Sequence, residues 1–276
     1  PVEERVSMLA LIRGAGDIAS AIALRLRRCG ISVVMTEVAH PLTVRRTVAF
    51  SEAIRIGKSQ VEGMTAVLAQ NSSHALELVS SSNVIPVLID PACMCLETIK
   101  PDIVVDAILA KRNAGTSMDM APIVIGVGPG FTAGKDCHAV VETMRGHTLG
   151  RAYYTGSALP NTAIPGLVGG YAGERVLRAP CEGAFRGIAT IGYHVEEGQV
   201  VAYVDETPVV ATLTGVLRGL LADGVQAKAG LKCGDVDPRD DNGYCQLVSD
   251  KGLSVAGGVV EAILHLSGTF SHPAKL

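Results

Sequence analysis

The fold that we predict rests on residues 9–37, which read LALIRGAGDIASAIALRLRRCGISVVMTE. A short apolar run ends in the turn Gly14-Ala15-Gly16, a helical pattern with an apolar face follows, and a second apolar run ends at Glu37. This order of strand, glycine turn, helix and strand is typical of a parallel βαβ unit that carries a G-x-G-x-x-G/A motif. We therefore predict an α/β protein that begins with a Rossmann-like parallel-sheet domain.

The glycine turn is a candidate site for a phosphate group. Gly14 allows the tight turn, Gly16 lets the backbone approach a ligand, and amide groups at the helix start attract an anion. Glu37 lies about 20 residues further on, where an acid contacts a ribose hydroxyl in such folds. Asp17 is unfavourable beside a phosphate unless it caps the helix. A tight βαβ turn with no nucleotide is the alternative interpretation.

Composition bounds the class of protein. The 276 residues are 48% hydrophobic and 18% charged, which allows a large core and one or two domains. A net charge of −3 without a basic run argues against a nucleic-acid partner. No apolar run reaches membrane-spanning length, and no signal-peptide pattern is present, so we expect no membrane association. Seven irregularly spaced cysteines favour a reducing cytoplasm. The oligomeric state stays open, a homo-oligomer included.

Buried strands are predicted at 85–89, 103–109 and 122–127. Asp106 falls near the carboxyl end of the second, where open α/β sheets bind ligands, and is a candidate catalytic acid. The third leads into Gly128-Pro129-Gly130, a second glycine turn whose backbone N–H groups could converge on an anion, with Lys135 alongside.

A helix is predicted from Cys137 to Met144. Cys137 would open it, where the helix dipole lowers the pKa of a thiol, so this cysteine is a candidate catalytic nucleophile, although an inert buried cysteine is the favoured alternative. His138 and Glu142 would share one face, which suits either a general-base pair or a surface ion pair. No metal site is predicted, because no third ligand follows at a fixed spacing.

Two short motifs have both a chemical and a structural interpretation. Cys93-Met94-Cys95 could bind a soft metal, but without a second pair at ligand spacing a reduced, buried pair is favoured. Arg45 and Arg46 could contact an anionic ligand, and a solvated helix surface is the alternative.

An internal repeat occupies the C-terminal part. Residues 182–205 align without gaps on residues 214–237, an offset of 32 (214 − 182). The coinciding pairs are Gly183/Gly215, Arg186/Arg218, Gly187/Gly219, Gly192/Gly224, Gly198/Gly230, Val204/Val236 and Asp205/Asp237. Neither half can bury a core alone, so the two are expected to interlock as a small β-barrel. Arg186 and Arg218 could clamp an anion, but a shared structural role is favoured.

The repeat resembles the barrel-sandwich hybrid fold of biotinyl and lipoyl carrier domains. Those carriers attach their cofactor to a lysine in the hairpin that joins the halves. The hairpin here, residues 204–209, has no lysine, so we expect neither biotin nor lipoate. The predicted domains are 1–175 (Rossmann-like), 176–240 (barrel-sandwich) and 241–276 (a C-terminal return with a helix at 256–266).

Several longer motifs resemble one family, the selenium-dependent molybdenum hydroxylase system proteins, also called the YqeB family. They read LIRGAGDIASAIALRL, VVMTE, DIVVDAILAKRN, VGPGFTAGKDCHAVVETMRGHTLGR, and GVLRGLLADG with KCGDVDPR. The Rossmann part of that family is similar to XdhC-type maturation factors, which bind molybdenum cofactor. The resemblance implies an accessory role in maturing a molybdenum hydroxylase, with the apo-hydroxylase as partner and molybdenum cofactor or a related nucleotide as ligand.

Roles can be assigned under that hypothesis. One phosphate would lie at the first glycine turn, a second part of the ligand at the second turn, and a ribose at the acid; Cys137 would receive or pass a sulfur or selenium atom. The alternative function is an NAD(P)-dependent oxidoreductase that uses the Gly14-x-Gly16 motif, although no proton relay such as Tyr-x-x-x-Lys is present. The candidate cofactor-binding residues are Gly14, Gly16, Asp17, Glu37, Gly128, Gly130 and Lys135.

Overall fold

A nine-stranded sheet forms the centre of the larger lobe. The structure, a computed structural model, describes residues 8–162 and 166–269. The strands of this sheet are β1 (Leu9–Arg13), β2 (Ser32–Glu37), β3 (Lys58–Val61), β4 (Met64–Leu68), β5 (Val84–Ile89), β6 (Ile103–Asp106), β7 (Ile123–Val127), β8 (Ala139–Val141) and β9 (Ala152–Tyr153).

Helices cover both faces of this sheet. The α-helices of the described residues are α1 (Asp17–Arg28), α2 (Glu52–Ile56), α3 (Ser72–Ser81), α4 (Leu96–Ile99) and α5 (Asp250–Ser267). Helices α1 and α5 pack on the face that contains Ile12, whereas α3 and α4 pack on the face that contains Leu11. Successive residues of a strand point to opposite faces, so each strand contributes to both cores. Short 3-10 helices lie at Arg46–Val48, Met118–Met120 and Asn242–Cys245.

The sheet is mixed, and this corrects the predicted fold class. Its strand order is β3-β4-β5-β2-β1-β6-β7-β8-β9. The strands from β4 to β8 pair in parallel, but β3 and β9 close the two edges as antiparallel neighbours of β4 and β8. The prediction of a Rossmann-like parallel-sheet domain is therefore wrong, because hairpins replace helical crossovers at both edges.

One of those hairpins removes a predicted helix. The segment from Cys137 to Met144 contains strand β8, in which Ala139, Val140 and Val141 are fully buried beside β7. Consecutive β-branched residues favour an extended chain over a helix when both faces are covered.

The smaller lobe consists of two four-stranded antiparallel sheets. Its strands are β10 (Val176–Arg178), β11 (Gly183–Gly187), β12 (His194–Val195), β13 (Val200–Val204), β14 (Thr207–Val210), β15 (Gly215–Leu220), β16 (Gln226–Ala227) and β17 (Lys232–Asp237). The sheet orders are β10-β17-β15-β12 and β14-β13-β11-β16. Two separate antiparallel sheets stand here instead of the small biotinyl/lipoyl-like barrel that was predicted, and that part of the fold class is corrected too.

The two repeats each supply strands to both sheets. Close approach explains part of the repeated pattern: a Cβ at position 183 would collide with the Asp205 carboxylate, and a Cβ at position 215 with the Asp237 carbonyl oxygen. Glycine at both positions therefore lets a strand cross over the repeated aspartate. The division into domains at residues 175 and 240 stays a prediction.

The repeated arginines do not share a role, contrary to expectation. Arg218 is buried and donates to Asp235 at 2.8 Å and to Asp237 at 2.9 Å, and Arg175 also pairs with Asp235. Arg186 is exposed and lies over the Tyr203 ring at 5.0 Å.

Segment 43–48 joins the two lobes. The Leu220 N–H donates to the Val44 carbonyl at 2.9 Å, and the Arg46 Nε donates to the Leu220 carbonyl at 2.8 Å. Val44 also belongs to the apolar core of the smaller lobe. The C-terminal helix returns to the larger lobe over 250–267, longer than the predicted 256–266. Within residues 8–162 and 166–269, no helix has both the length and the apolar character needed to cross a membrane.

The docking of α5 gives a paired prediction. A Cβ at position 258 would collide with the Gly150 carbonyl oxygen and lie 2.9 Å from Val141 Cγ1, whereas a Cβ at position 257 would meet open space. We expect Gly258→Ala to lower the free energy of unfolding by about 1–3 kcal/mol through overpacking. Gly257→Ala should raise it by about 0.5–1 kcal/mol through helix propensity. Urea unfolding of both variants measures this; equal shifts in one direction would contradict the packing of α5.

Candidate functional site

A crevice of about 580 Å³ opens at the carboxyl ends of β1, β2 and β6. The chain leaves β1 towards β2 on one side, and β6 lies on the other side, so the loops that follow these strands diverge. Such switch points are where open α/β sheets bind ligands. The lining residues are Gly14, Gly16, Asp17, Ile18, Ala19, Glu37, Val38, Leu42, Thr43, Val44, Arg45, Ala107, Ile108, Leu109, Leu231 and Lys232.

The first glycine turn lines the crevice, but a carboxylate of the chain already occupies it. The Ala15 N–H donates to Glu37 Oε2 at 2.9 Å, and the Val38 N–H donates to Glu37 Oε1 at 2.8 Å. Gly14, at φ +96°, is needed because its Cβ would come 3.0 Å from the Ala107 carbonyl oxygen. Glu37 therefore stabilises the turn through both carboxylate oxygens, and its contact with a ribose stays a prediction.

The second glycine turn serves packing. A Cβ on Gly130 would come 2.5 Å from the backbone of Arg112, and a Cβ on Gly128 would come 2.9 Å from Thr143 Oγ1. The Thr132 N–H that follows donates to Asp136 Oδ2 at 2.8 Å, so an internal carboxylate again takes the place of an external anion. Lys135 is exposed in this loop.

Asp106 is part of a buried ion pair. Its Oδ2 accepts from Arg13 at 3.2 Å and from the Thr116 hydroxyl at 2.5 Å, and its Oδ1 accepts from the Ile108 N–H at 3.1 Å. Asp106 is only 1% exposed and bonded on both oxygens, so it stabilises the end of β6; the catalytic role predicted for it stays a prediction.

The sequence-predicted residues thus divide into two groups. Gly14, Gly16, Asp17 and Glu37 come together on the crevice walls. The remaining candidates do not line it; they are Asp106, Gly128, Gly130, Lys135 and Cys137.

Cys137 does not open a helix, and its environment is the reverse of the one predicted. It precedes strand β8, is fully buried, and burial raises the pKa of its thiol to about 11. No helix dipole acts on it, so the thiolate is disfavoured at neutral pH.

His138 and Glu142 do not pair with each other; both accept hydrogen bonds from backbone N–H groups. His138 Nδ1 accepts from the Val124 N–H at 3.0 Å. The buried Glu142 carboxylate accepts from Thr143 N and Met144 N at 2.7 Å each and from Leu159 N at 2.8 Å. No group of three or more His, Cys, Asp or Glu side chains that could hold a metal occurs in the described ranges.

Three cations near the crevice carry roles that the sequence did not reveal. Arg45 lines it and is held by the carbonyl oxygens of Tyr244 at 2.9 Å and Leu247 at 3.1 Å, although Arg45 Nε has no hydrogen-bond partner. Lys232 lines it from the smaller lobe, whereas Lys251, at the start of α5, does not line it but interacts electrostatically with Asp17. These three residues lie far apart in the sequence, so no spacing between them predicts that they come together. Of the three, only Arg45 was predicted from the sequence as a candidate contact for an anion.

The charges on the crevice walls are incompletely paired. Among the described residues, no group donates a hydrogen bond to the Asp17 carboxylate, and no cation lies within ion-pair distance of it. Burial lowers the pKa of Arg45, and the charge of Asp17 partly opposes that shift. Burial likewise lowers the pKa of Lys251, again opposed by Asp17. The cations are therefore near enough to interact with Asp17 electrostatically but do not neutralise it by contact.

Thiol labelling tests the buried position of Cys137. In the native protein at neutral pH, we expect iodoacetamide to modify the exposed Cys29 quickly and to leave Cys137 unmodified until the chain is unfolded. Peptide mapping by mass spectrometry measures both. Native labelling of Cys137 at a rate similar to that of Cys29 would contradict the structure.

Three solved structures resemble the chain weakly. A succinylglutamate desuccinylase/aspartoacylase from Rhodobacter sphaeroides is 14% identical, with a TM-score of 0.25, covering 83% of this chain and 85% of that one. An aspartoacylase family protein from Mesorhizobium loti is 11% identical at 0.23, covering 84% and 86%. The ectoine utilization protein EutE (DoeB) from Ruegeria pomeroyi is 11% identical at 0.26, covering 83% and 85%. Such low scores carry no argument about a site.

The predicted function is corrected. An accessory role in molybdenum hydroxylase maturation, with a phosphate-bearing pterin or dinucleotide, is wrong, as is the alternative of an NAD(P)-dependent oxidoreductase. Both functions need the glycine turns for a phosphate, but the first turn binds the Glu37 carboxylate, and the Thr132 N–H that follows the second turn binds the Asp136 carboxylate. The cofactor identities, molybdenum cofactor or NAD(P), and the hydroxylase partner are tested by none of these findings.

One curated relative matches nearly the whole chain. No protein-family model matches this chain. The "Uncharacterized protein YqeB" of Escherichia coli (strain K12) is 51% identical over 258 residues, which is 94% of this chain and 48% of that protein. The chain spans about half the length of this relative. It is a homologue of YqeB over the shared span, which supports membership of a YqeB family.

Proposed function

We propose that the crevice binds a small zwitterionic molecule of the amino-acid class. One observation carries this proposal: among the described residues, the walls of one cavity hold both hydrogen-bond donors and a carboxylate that have no hydrogen-bond partner. A volume of about 580 Å³ is within the range of small-molecule sites. Buried or half-buried polar groups without partners cost free energy unless a ligand or water pairs with them.

The ligand's carboxylate is assigned to the start of α1. The backbone N–H groups of Asp17, Ile18 and Ala19 belong to its first turn, where no intrahelical acceptor exists. None of them donates elsewhere among the described residues. A helix N-terminus with free N–H groups favours an anion. Lys232 adds a positive charge on the facing lobe, because its Nζ is only loosely paired with Asp235 Oδ1, at 3.7 Å.

The ligand's ammonium group is assigned to Asp17. This carboxylate is half-buried and free of hydrogen bonds within the described part of the chain, so a charge-assisted bond to a ligand nitrogen would satisfy it. A ligand with both charges therefore compensates Asp17 and the donors at once.

The two carboxylates on the walls argue against a phosphate ligand. Asp17 and Glu37 would both repel a dianion, whereas a zwitterion has no net charge. The rim adds apolar contacts: Val38, Leu42 and Ile108 are all at least 40% exposed and would be covered by an apolar ligand side chain.

Calorimetric titration with three matched probes tests this proposal. The probes are L-phenylalanine, its amide, which lacks the carboxylate, and N-acetyl-L-phenylalanine, which lacks the ammonium. The wild-type protein should bind the free amino acid about 10-fold or more tightly than either derivative, equivalent to about 1.4 kcal/mol or more. Asp17→Asn should remove the preference for the ammonium, and Lys232→Gln the preference for the carboxylate.

Lys228→Gln is the matched control, because Lys228 is exposed in the same lobe and does not line the crevice. It should bind all three probes as the wild type does. Equal affinity for the three probes, or a nucleotide that binds more tightly than any amino acid, would refute the proposal.

The cysteines support a reducing, cytoplasmic location as part of the proposal. All seven are free in the structure, and the five at positions 93, 95, 137, 233 and 245 are buried. A secreted protein would be expected to use some of them in disulfides.

A further inference from the structure

The turn that carries the C-x-C motif brings two thiols together on the α3–α4 face of the sheet. Asp90, which follows β5, accepts from Met94 N at 3.0 Å and from Cys95 N at 2.8 Å. Cys93 has φ +55°, a left-handed conformation that is uncommon for a residue other than glycine, asparagine or aspartate. The local chain is thus bent tightly around the two cysteines, and the Asp90 carboxylate holds the bend.

Cys93 is surrounded by groups that stabilise a thiolate. The Thr36 hydroxyl near the end of β2 lies 3.7 Å from Cys93 Sγ, and the neighbouring Cys95 thiol also favours the charged form of Cys93. Arg13 at the end of β1 adds a positive charge nearby. Hydrogen-bond donors and a guanidinium favour the charged form of a thiol.

The two thiols therefore differ in acidity. The neighbouring Cys95 thiol, then the Thr36 hydroxyl and the charge of Arg13, lower the pKa of Cys93 to about 7 against the opposing effects of burial and the Asp90 carboxylate. The proximity of Cys93 raises the pKa of Cys95, together with burial and the Asp90 carboxylate. Cys93 is the nucleophile of the pair, and Cys95 keeps its proton.

A cavity of about 800 Å³ reaches the pair at Cys95. Cys95, Asp90 and the exposed Met94 and Ile89 line it, so Cys95 forms part of its wall. Cys93 and Cys95 are 3% and 4% exposed, so the oxidant has to be small, of the size of hydrogen peroxide, and has to reach Cys93 past the wall that Cys95 forms.

We propose that Cys93 and Cys95 form a peroxide-reactive dithiol that closes to a reversible disulfide. Two Cα–Cα steps of about 3.8 Å, folded in a turn, place the residues in the range of about 4.4–6.8 Å that a disulfide spans. This activity is independent of the crevice, which lies at the ends of β1, β2 and β6 and is not lined by either cysteine.

The chemistry balances with a hydroperoxide as the oxidant. Cys93 Sγ forms a bond to one peroxide oxygen while the O–O bond breaks; the leaving oxygen takes a proton and departs as water or an alcohol. Cys95 Sγ then attacks the sulfenic acid, the S–S bond forms, and the S–O bond breaks. The Cys95 proton leaves with the hydroxide as water. Two thiols are oxidised and one hydroperoxide is reduced; two molecules of a small thiol then restore the dithiol by exchange and leave as their own disulfide.

Mass spectrometry of the full chain tests the proposal. The reduced protein is treated with hydrogen peroxide, unfolded in N-ethylmaleimide and digested. The peptide that contains residues 93–95 should lack the label and be lighter by two hydrogens, and a thiol reductant should reverse this. Cys95→Ser should instead accumulate a sulfenic acid at Cys93 that dimedone traps, whereas Cys93→Ser should leave Cys95 unoxidised.

The matched control is Cys137→Ser, which removes a buried thiol of raised pKa and should not change formation of the link. Full N-ethylmaleimide labelling of Cys93 and Cys95 after a peroxide dose that oxidises the exposed Cys29 would overturn the proposal. So would a sulfinic acid at Cys93 without a link in the wild type, because it would show that Cys95 does not resolve the intermediate.

The variant Thr36→Val keeps both cysteines and removes one hydrogen-bond donor to Cys93. It therefore tests the proposal even if the cysteine variants do not fold. The oxidation rate of the wild type should rise with pH through about 7 and level off above it, with Arg13, Thr36, Asp90 and Cys95 as the groups that set this midpoint. In Thr36→Val the profile should shift to higher pH, and the rate at neutral pH should fall several-fold. An unchanged profile would overturn the assignment of Cys93 as the nucleophile.

Discussion

The Arg13–Asp106 ion pair is the constraint on which both sites depend. Strand register places Arg13 beside Asp106 on one side and Thr36 on the other, so all three side chains project from the same face of the sheet. The pair is buried, and burial of two charges is tolerated only when further hydrogen bonds satisfy them. Thr116 and the carbonyl oxygens of Ala114 and Pro91 provide those bonds to Arg13 and Asp106. The loops after β5 and β6 are thereby tied to the end of β1.

Those ties explain why two neighbouring sites have different chemistry. The loop after β6 forms one wall of the crevice at Ala107–Leu109, while the loop after β5 forms the cysteine turn. Arg13 stands on the cysteine side, where its charge favours the Cys93 thiolate. On the crevice side, Glu37 accepts hydrogen bonds from the glycine turn, so Asp17 is the carboxylate that remains available to a ligand.

Local patterns in the sequence predicted the elements but not the use of the glycines. Strand β1, helix α1 and strand β2 lie where residues 9–37 indicated, because each has its own periodicity and the turn needs φ > 0 at Gly14. What a glycine turn binds depends on the side chains that reach it. Glu37 binds the first turn from a position whose spacing equally suits a ribose contact, and Asp136 binds the Thr132 N–H that follows the second turn. The site's cations could not be predicted either, since Lys232 reaches the crevice only through docking of the lobes.

Docking also explains why two repeats of similar sequence differ in structure. The second repeat faces segment 43–48 of the larger lobe, so Arg218 is excluded from water and must be paired, which Asp235 and Asp237 accomplish. In the first repeat the position of Asp235 is held by Tyr203, an offset of 32, and the exposed Arg186 stacks on that ring. A cation–π contact suffices at a solvated surface, whereas a buried guanidinium needs carboxylates. The repeat therefore retained the glycines and aspartates that its crossings require, while the residues around its arginines diverged according to which half the larger lobe covers.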